Sequence, residues 1–366
     1  MSLEQESDLP SLVWVSHNPM GPGGFQSVSR NILKRLTGWK KNVIAIENGT
    51  SLLPYDYDGY GIHECSTICG LRHYMAELMP DVVVVYGAYW HMTQYLDAIK
   101  NSDDFQQALY IVIEAPPIPK KWHESLSKFD MIMTPCIASA EAIVDIGYDA
   151  YITHHGVDHS IYRPGSKAEP EFLYGSIKVN NYKAQLTRLL SAYNDICRDQ
   201  HSKLLLHTNP IDSRGPPLKD FVQTYGMDDY VKFSQYGICN IGMLDPKMAQ
   251  LYQGLDVYVS TSGADTVNLP ALEAAACGVP SILADVPGPQ EYLGDSATYI
   301  PSVDEYPSGF GRIRLADQKK LAEVMQMYYD DEDYRKAKAK EALEYSKQWP
   351  WERAVDELQK NISELL

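Results

Sequence analysis

Residues Leu255–Glu291, LDVYVSTSGADTVNLPALEAAACGVPSILADVPGPQE, leave this chain few ways to fold. Leu255, Val257 and Val259 make a short β-branched run bounded by small residues, the pattern of a strand buried on both faces. Ser260 to Asn268 is small and polar and reads as a loop. Pro270 suits the first turn of a helix, where its missing N–H costs nothing, and Gly278 followed by Pro280 stops that helix. Ser281 to Ala284 then re-enters the sheet. The result is strand, loop, helix, strand, with Asp265 and Glu273 at the two ends of the loop-to-helix passage.

That arrangement carries chemistry. A helix N-terminus offers unpartnered N–H groups and a partial positive charge, which suit a diphosphate. A carboxylate one turn into the helix cannot face phosphate, but it can accept hydrogen bonds from vicinal ribose hydroxyls. Helical side chains lean toward the N-terminus, so Glu273 could reach such a ribose. Asp265 would point at whatever the diphosphate carries. The same residues are equally compatible with an ordinary βαβ unit bearing a solvated Glu and a turn Asp, because a lone phosphate-loop pattern is weak evidence.

The rest of the chain alternates in the same way. Predicted strands are Leu12–Ser16, Asn42–Glu47, Asp81–Tyr86, Tyr110–Glu114 and Met131–Thr134. They continue with Glu171–Tyr174, Lys203–His207, Tyr230–Ser234, Asp256–Ser260, Ser281–Ala284 and Ala297–Ile300. A helix is expected over Phe25–Leu36, a charged helical run over Asp330–Tyr345, and a final helix to Leu366. This rhythm argues for parallel sheets covered by helices, in two doubly wound domains. The expected division is 1–160, 170–345 and a C-terminal helix over 346–366, joined by the Gly-, Pro- and charge-rich stretch from Gly156 to Glu169.

The signature around Glu273 resembles the donor site of the retaining GT-B glycosyltransferases of group 1, family 4. Their pattern is acidic, Gly-aromatic-Gly, Leu-Pro, two residues, Glu-Ala, a small residue, then Ala-Cys-Gly-Val-Pro. Leu269, Pro270, Glu273, Ala274, Ala276, Cys277, Gly278, Val279 and Pro280 match it. Gly156, Val157, Asp158, Tyr162 and Pro164 resemble the family's inter-domain passage. Two departures stand out: Asp265 replaces the usual Glu, and Thr266-Val267-Asn268 replaces Gly-aromatic-Gly, which removes backbone freedom that Gly allows.

The resemblance implies a fold of two Rossmann-like domains facing across a cleft, with a nucleotide-diphosphate sugar, UDP- or GDP-linked, bound mainly by the second. It makes Glu273 the ribose ligand and Asp265 a contact to the donor sugar. Lys183, with Lys178 at the family's Arg position, would grip the leaving diphosphate. Gly23 and Gly24, in the loop after the first strand, would approach the donor together with Thr266, Val267, Asn268 and Leu269. Tyr89, Trp90, His91 and Glu114, following buried strands of the first domain, would serve the acceptor, although the aromatics fit an interior equally well. The Gly21–Phe25 loop lacks the third Gly of a dinucleotide fingerprint. Glu291 resembles a Gly-x-x-Glu turn of the family, supporting the site without touching ligand. His17, His154 and His155 are expected to be structural, and the final helix, with Trp351, is expected to cross back onto the first domain.

Composition removes several alternatives. The net charge of −16, spread evenly over the chain, does not suit nucleic acid. Lys34, Arg35, Lys40 and Lys41, like Lys120 and Lys121, are basic patches of the size of ordinary solvated faces. No window of about 18 apolar residues suggests stable membrane insertion, and Met1–Pro10 is too polar for a signal peptide. Six cysteines in 366 residues suit a reducing, cytoplasmic setting rather than a disulfide framework. His63, Cys65, Cys69 and His73 have spacings open to a metal, but thiols four apart more often line a core. No cofactor is expected, and no Asp-x-Asp pair at a strand end points to a metal. The reading is therefore a metal-independent retaining glycosyltransferase acting on a glycan or small-molecule acceptor. A catalytically silent GT-B binder is the alternative, and a nucleotide-sugar epimerase a third option.

Overall fold

The computed structural model describes residues 9–46, 54–99, 104–167, 170–238 and 242–366. Glu47, at the end of one predicted strand, and residues 168 and 169, at the end of the joining stretch, lie outside the described residues. The chain divides into two compact units, Met1–Gly156 with Trp351–Leu366, and Val157–Pro350.

The first unit is built on eight strands: β1 (Ser11–Ser16), β2 (Lys40–Ala45), β3 (Tyr55–Tyr57), β4 (Tyr60–Glu64), β5 (Val82–Gly87), β6 (Gln106–Ile111), β7 (Met131–Thr134) and β8 (Tyr151–Ile152). Their order is β3-β4-β2-β1-β5-β6-β7-β8, and every pairing is parallel except β3 with β4. Val82 to Val85 are fully buried, as a central strand covered on both faces must be. The strand predicted over Tyr110–Glu114 lies instead at Gln106–Ile111, so Glu114 follows it at a distance. The hairpin β3–β4 went unpredicted, although Asp58-Gly59, both at positive φ, is a strong turn signal.

The second unit holds six parallel strands: β9 (Phe172–Ile177), β10 (Ser202–His207), β11 (Val231–Phe233), β12 (Val257–Ser260), β13 (Ser281–Ala284) and β14 (Thr298–Ile300). They run in the order β11-β10-β9-β12-β13-β14. An antiparallel pair, β15 (Ser302–Ser308) with β16 (Gly311–Ala316), stands apart from that sheet. It escaped prediction because most of β15 is exposed on both faces and shows no apolar alternation. The charged run predicted over Asp330–Tyr345 is the helix Glu332–Ser346, preceded by an unpredicted helix Gln318–Asp330; Asp331 separates the two, and its carboxylate caps the second by accepting from the Tyr334 N–H. No helix among the described residues is long and apolar enough to cross a membrane.

The last helix, Trp351–Ser363, belongs to the first unit. Trp351 is buried, 6.2 Å ring to ring from His155. Glu357 accepts from the His154 backbone N–H at 2.8 Å, lies 2.9 Å from His154 Nδ1, and accepts from Arg353 Nε at 3.0 Å. Burial pushes the Glu357 carboxyl up, but the hydrogen bonds from His154 and Arg353 outweigh it and hold it below its ordinary value of 4.5. A depressed folded pKa contributes stability that is complete above that unfolded value and is lost as pH falls through the folded one. Urea midpoints should therefore drop on acidification below about pH 4.5. Glu357→Gln should lower stability at neutral pH by about 1–2 kcal/mol and flatten that acid limb.

Candidate functional site

In the second sheet, β9 lies between β10 and β12, so the connections leaving β9 and β12 diverge at its middle. The crevice outside the carboxyl ends of two such strands is where doubly wound sheets bind ligands. Two loops border it, 178–185 and 261–268. They are stitched together: the Gly263 N–H donates to the Lys183 carbonyl at 2.9 Å, and Thr261 Oγ1 to the Ala184 carbonyl at 2.9 Å. The Gly263 carbonyl in turn accepts from the Arg314 N–H of β16 at 3.0 Å. A Cβ at Gly263 would collide with the Arg314 carbonyl and the Gln185 amide, so only glycine fits.

The stitching brings the expected charges together. Lys178, the first residue after β9, donates to Asp265 Oδ2 at 2.7 Å, and both side chains are about one-tenth exposed, at 12% and 9%. Lys183 sits half-buried on the 3₁₀ turn Tyr182–Ala184. Lys178 thus meets a carboxylate. Its charge and that of Asp265 offset each other in place.

Asn268 explains the departure from Gly-aromatic-Gly. It adopts φ 60°, ψ 62° and N-caps the helix Leu269–Ala276. Asn is the residue other than Gly that best tolerates this left-handed region. Its Oδ1 accepts from the Ala271 N–H at 3.4 Å, and its Nδ2 donates to Ser260 Oγ at 3.1 Å. Of Thr266, Val267 and Asn268, only Asn268 has positive φ. All three are buried. Gly288 backs the loop so closely that a Cβ there would strike the Thr266 carbonyl. Glu291, expected in a turn, lies within the helix Pro287–Leu293. The helix after Asn268 ends as expected, with Gly278 at φ 76° and the Val279 N–H donating to the Ala274 carbonyl at 2.9 Å.

Glu273 is half-buried on that helix. Tyr252, fully buried on the helix Asp245–Gln253, donates its hydroxyl to Glu273 Oε2 at 2.7 Å, and its ring meets that of Tyr162 edge to face at 6.1 Å. Burial, and then the Glu273 charge, push both phenols well up, so both remain proton donors. Burial pushes the neighbouring Cys277 thiol to about 12. Sequence reasoning placed Tyr162 only in the joining motif and missed Tyr252, whose position carries no local signal.

The first unit holds the remaining candidates. Gly23 N-caps the helix Gly24–Leu33, and a Cβ there would collide with Gln26, whereas Gly24 has open space around it. Tyr89 is buried face to face with Trp122, ring centroids 4.7 Å apart. His91 is buried, accepts the Ala88 N–H on Nδ1 at 3.1 Å, and is pushed down to about 3 by burial and by His17. Gly87, at φ 147°, faces that imidazole where no Cβ would fit. Trp90 is the member of the trio turned to solvent, at 43% exposed, with Phe25 edge-on at 6.0 Å. Glu114 is half-buried. His17 stacks on Phe25 at 5.8 Å, and the Tyr86 hydroxyl lies 3.3 Å from His155 Nε2. His63 lies 3.1 Å from Asn42 Oδ1, Cys65 is buried, and Cys69 is exposed. His73 pairs with Glu77 at 3.6 Å.

Residues 172–312 match the family profile for glycosyl transferases, group 1. A D-inositol 3-phosphate glycosyltransferase of Paenarthrobacter aurescens is 26% identical over 138 residues, which is 38% of this chain and 30% of that protein. The aligned stretch is therefore under a third of that relative's length. Among solved structures, sucrose-phosphate synthase from Thermosynechococcus elongatus superposes with a TM-score of 0.81 at 15% identity, over 97% of this chain and 99% of that one. Anabaena HepE, solved with UDP and glucose, superposes at 0.74 with 14% identity, over 97% and 100%. These likenesses establish the fold.

Asn268 is the position where the altered loop can be tested. Asn268→Ala loses the polar side chain that lets Asn tolerate the left-handed region and removes the cap, and should cost about 2–3 kcal/mol. Asn268→Gly should cost less than about 1 kcal/mol, since glycine adopts that backbone freely. Paired denaturation curves read the difference directly.

Proposed function

We propose that this chain, a GT-B protein whose second unit carries a group 1 glycosyltransferase domain, moves a sugar from a nucleotide-diphosphate donor to an acceptor hydroxyl. The observation that carries this reading is the gathering of Lys178, Lys183, Asp265 and Glu273 on two stitched loops and one helix at the switch point of the second sheet. In this reading Glu273 accepts from the ribose hydroxyls and Asp265 meets the donor sugar. Lys178 holds Asp265, the two charges offsetting each other, and Lys183 is the principal cation for the diphosphate. The loop backbone from Thr266 to Leu269 lines the phosphates.

The difficult step is breaking the anomeric carbon–oxygen bond while charge builds on the diphosphate. Stabilising that charge with pre-placed cations and N–H groups lowers the barrier without a protein nucleophile. The acceptor oxygen then bonds the anomeric carbon on the face the diphosphate leaves. Its proton passes to the departing phosphate oxygen, and a nucleoside diphosphate is released. Configuration is retained, and Lys183 supplies the counter-charge that a metal would otherwise provide. The match of the Leu-Pro-x-x-Glu-Ala string supports retention, and HepE's capture with UDP and glucose makes UDP the first nucleotide to test, followed by GDP. The acceptor is a glycan or small molecule, with the exposed face of Trp90 as a surface for a sugar ring. None of Cys65, Cys69, Cys136, Cys197 and Cys277 is disulfide-bonded, which supports a cytoplasmic setting.

Melting with UDP, GDP and their sugar conjugates, in EDTA, tests this reading. A ligand at 100 times its Kd adds about 2.7 kcal/mol and should raise Tm visibly, an effect lost in Glu273→Ala. Lys183→Ala should lower kcat by about 100-fold or more, as loss of one charge-stabilising group does. A Tm shift without slow donor hydrolysis or transfer would favour the silent GT-B binder, to which the altered Thr266–Asn268 loop also points.

A further inference from the structure

We propose that Lys178 and Asp265 together form a charge filter for the donor sugar, admitting an uncharged hexose and rejecting a sugar that carries a carboxylate. The proposal rests on the reading of Asp265 as the residue that meets the donor sugar. Lys178 Nζ lies 2.7 Å from Asp265 Oδ2, and both side chains are largely buried. Among the described residues neither charged group has a second side-chain partner. An ammonium carries three N–H groups and a carboxylate two oxygens, so the pair keeps donors on Lys178 and the Oδ1 of Asp265 for a ligand.

A sugar hydroxyl suits that surface, because one O–H both donates to a carboxylate and accepts from an ammonium. A sugar carboxylate does not suit it. Its charge would leave water for a place where the Lys178 ammonium is already engaged and where Asp265 repels it. Burying a charge without a partner is costly, and a site discriminates as much by what it leaves unpaired as by what it pairs. The pair is held from both ends. Lys178 directly follows β9, and the Asp265 loop is fixed by the Gly263 bonds to the Lys183 carbonyl and the Arg314 N–H. Gly288 backs the same loop, where a Cβ would come within 2.8 Å of the Asp265 carbonyl oxygen. Burial, and then the Asp265 charge, push the fully buried Tyr258 phenol well up, so that neighbour stays neutral and Lys178 is the group that offsets Asp265.

The test is calorimetric titration of wild type, Asp265→Asn and Lys178→Met with UDP, UDP-glucose and UDP-glucuronic acid. GDP, GDP-mannose and GDP-mannuronic acid form the second set. Wild type should bind the neutral conjugate at least about tenfold tighter than the acidic one, the effect of one poorly partnered buried charge. Asp265→Asn frees the Lys178 ammonium for the incoming carboxylate, so that ratio should fall by about tenfold or reverse, while affinity for the bare nucleotide stays within about twofold. Lys178→Met leaves Asp265 uncompensated and should widen the ratio several-fold. If Asp265→Asn binds the bare nucleotide about tenfold tighter as well, the freed ammonium faces the diphosphate and the filter fails. It also fails if wild type takes both conjugates alike, or if neither variant changes the ratio, and the donor-site reading survives both results. If wild type binds nothing in either set, the donor-site reading falls and the filter with it. Should Asp265→Asn not fold, Lys178→Met decides, and a ratio unchanged or narrowed there overturns the filter.

Discussion

The second unit depends on one close approach. The Gly263 backbone lies between the Lys183 carbonyl and the Arg314 N–H, bonded to both, with no room for a side chain. That contact ties the loop after β9 to the loop after β12 and ties both to β16. Without it, Lys178 and Asp265, 87 residues apart in sequence, would have no reason to meet. The hairpin β15–β16, standing outside the main sheet, therefore braces the loop that carries Asp265.

Burial then governs how the gathered charges behave. Lys178 and Asp265 are each about nine-tenths buried, and a buried charge is tolerated only when partnered. Each is the other's partner, so truncating one leaves a buried charge without compensation. Glu273 follows the same logic with a neutral partner, since the Tyr252 phenol satisfies part of the carboxylate and leaves its charge intact. One carboxylate is offset by an ammonium and the other is met by a hydroxyl, so the two acids differ in local potential although they lie eight residues apart.

The first unit spends its aromatics inside. Tyr89 is stacked on Trp122, and His91 closes the start of its own helix against Gly87. Such a cluster fixes the backbone after β5, and Trp90 is the member of the trio turned to solvent. Alternating buried and exposed positions within one Tyr-Trp-His run could not be read from composition, because all three residue types occur in both settings.

The sequence by itself determined the parallel α/β architecture, because β-branched runs alternating with amphipathic helices have no other way to bury both faces of their strands. It also determined where the Leu269–Ala276 helix begins and ends, because Asn268, Pro270 and Gly278 act through local backbone preferences. The family resemblance rested on that same short string. Only the tertiary structure decided that Lys178 answers Asp265, that Tyr252 donates to Glu273, and that an exposed hairpin braces the 261–268 loop. Those contacts join segments tens of residues apart, and nothing in local periodicity or propensity encodes which distant side chain will fill a given space.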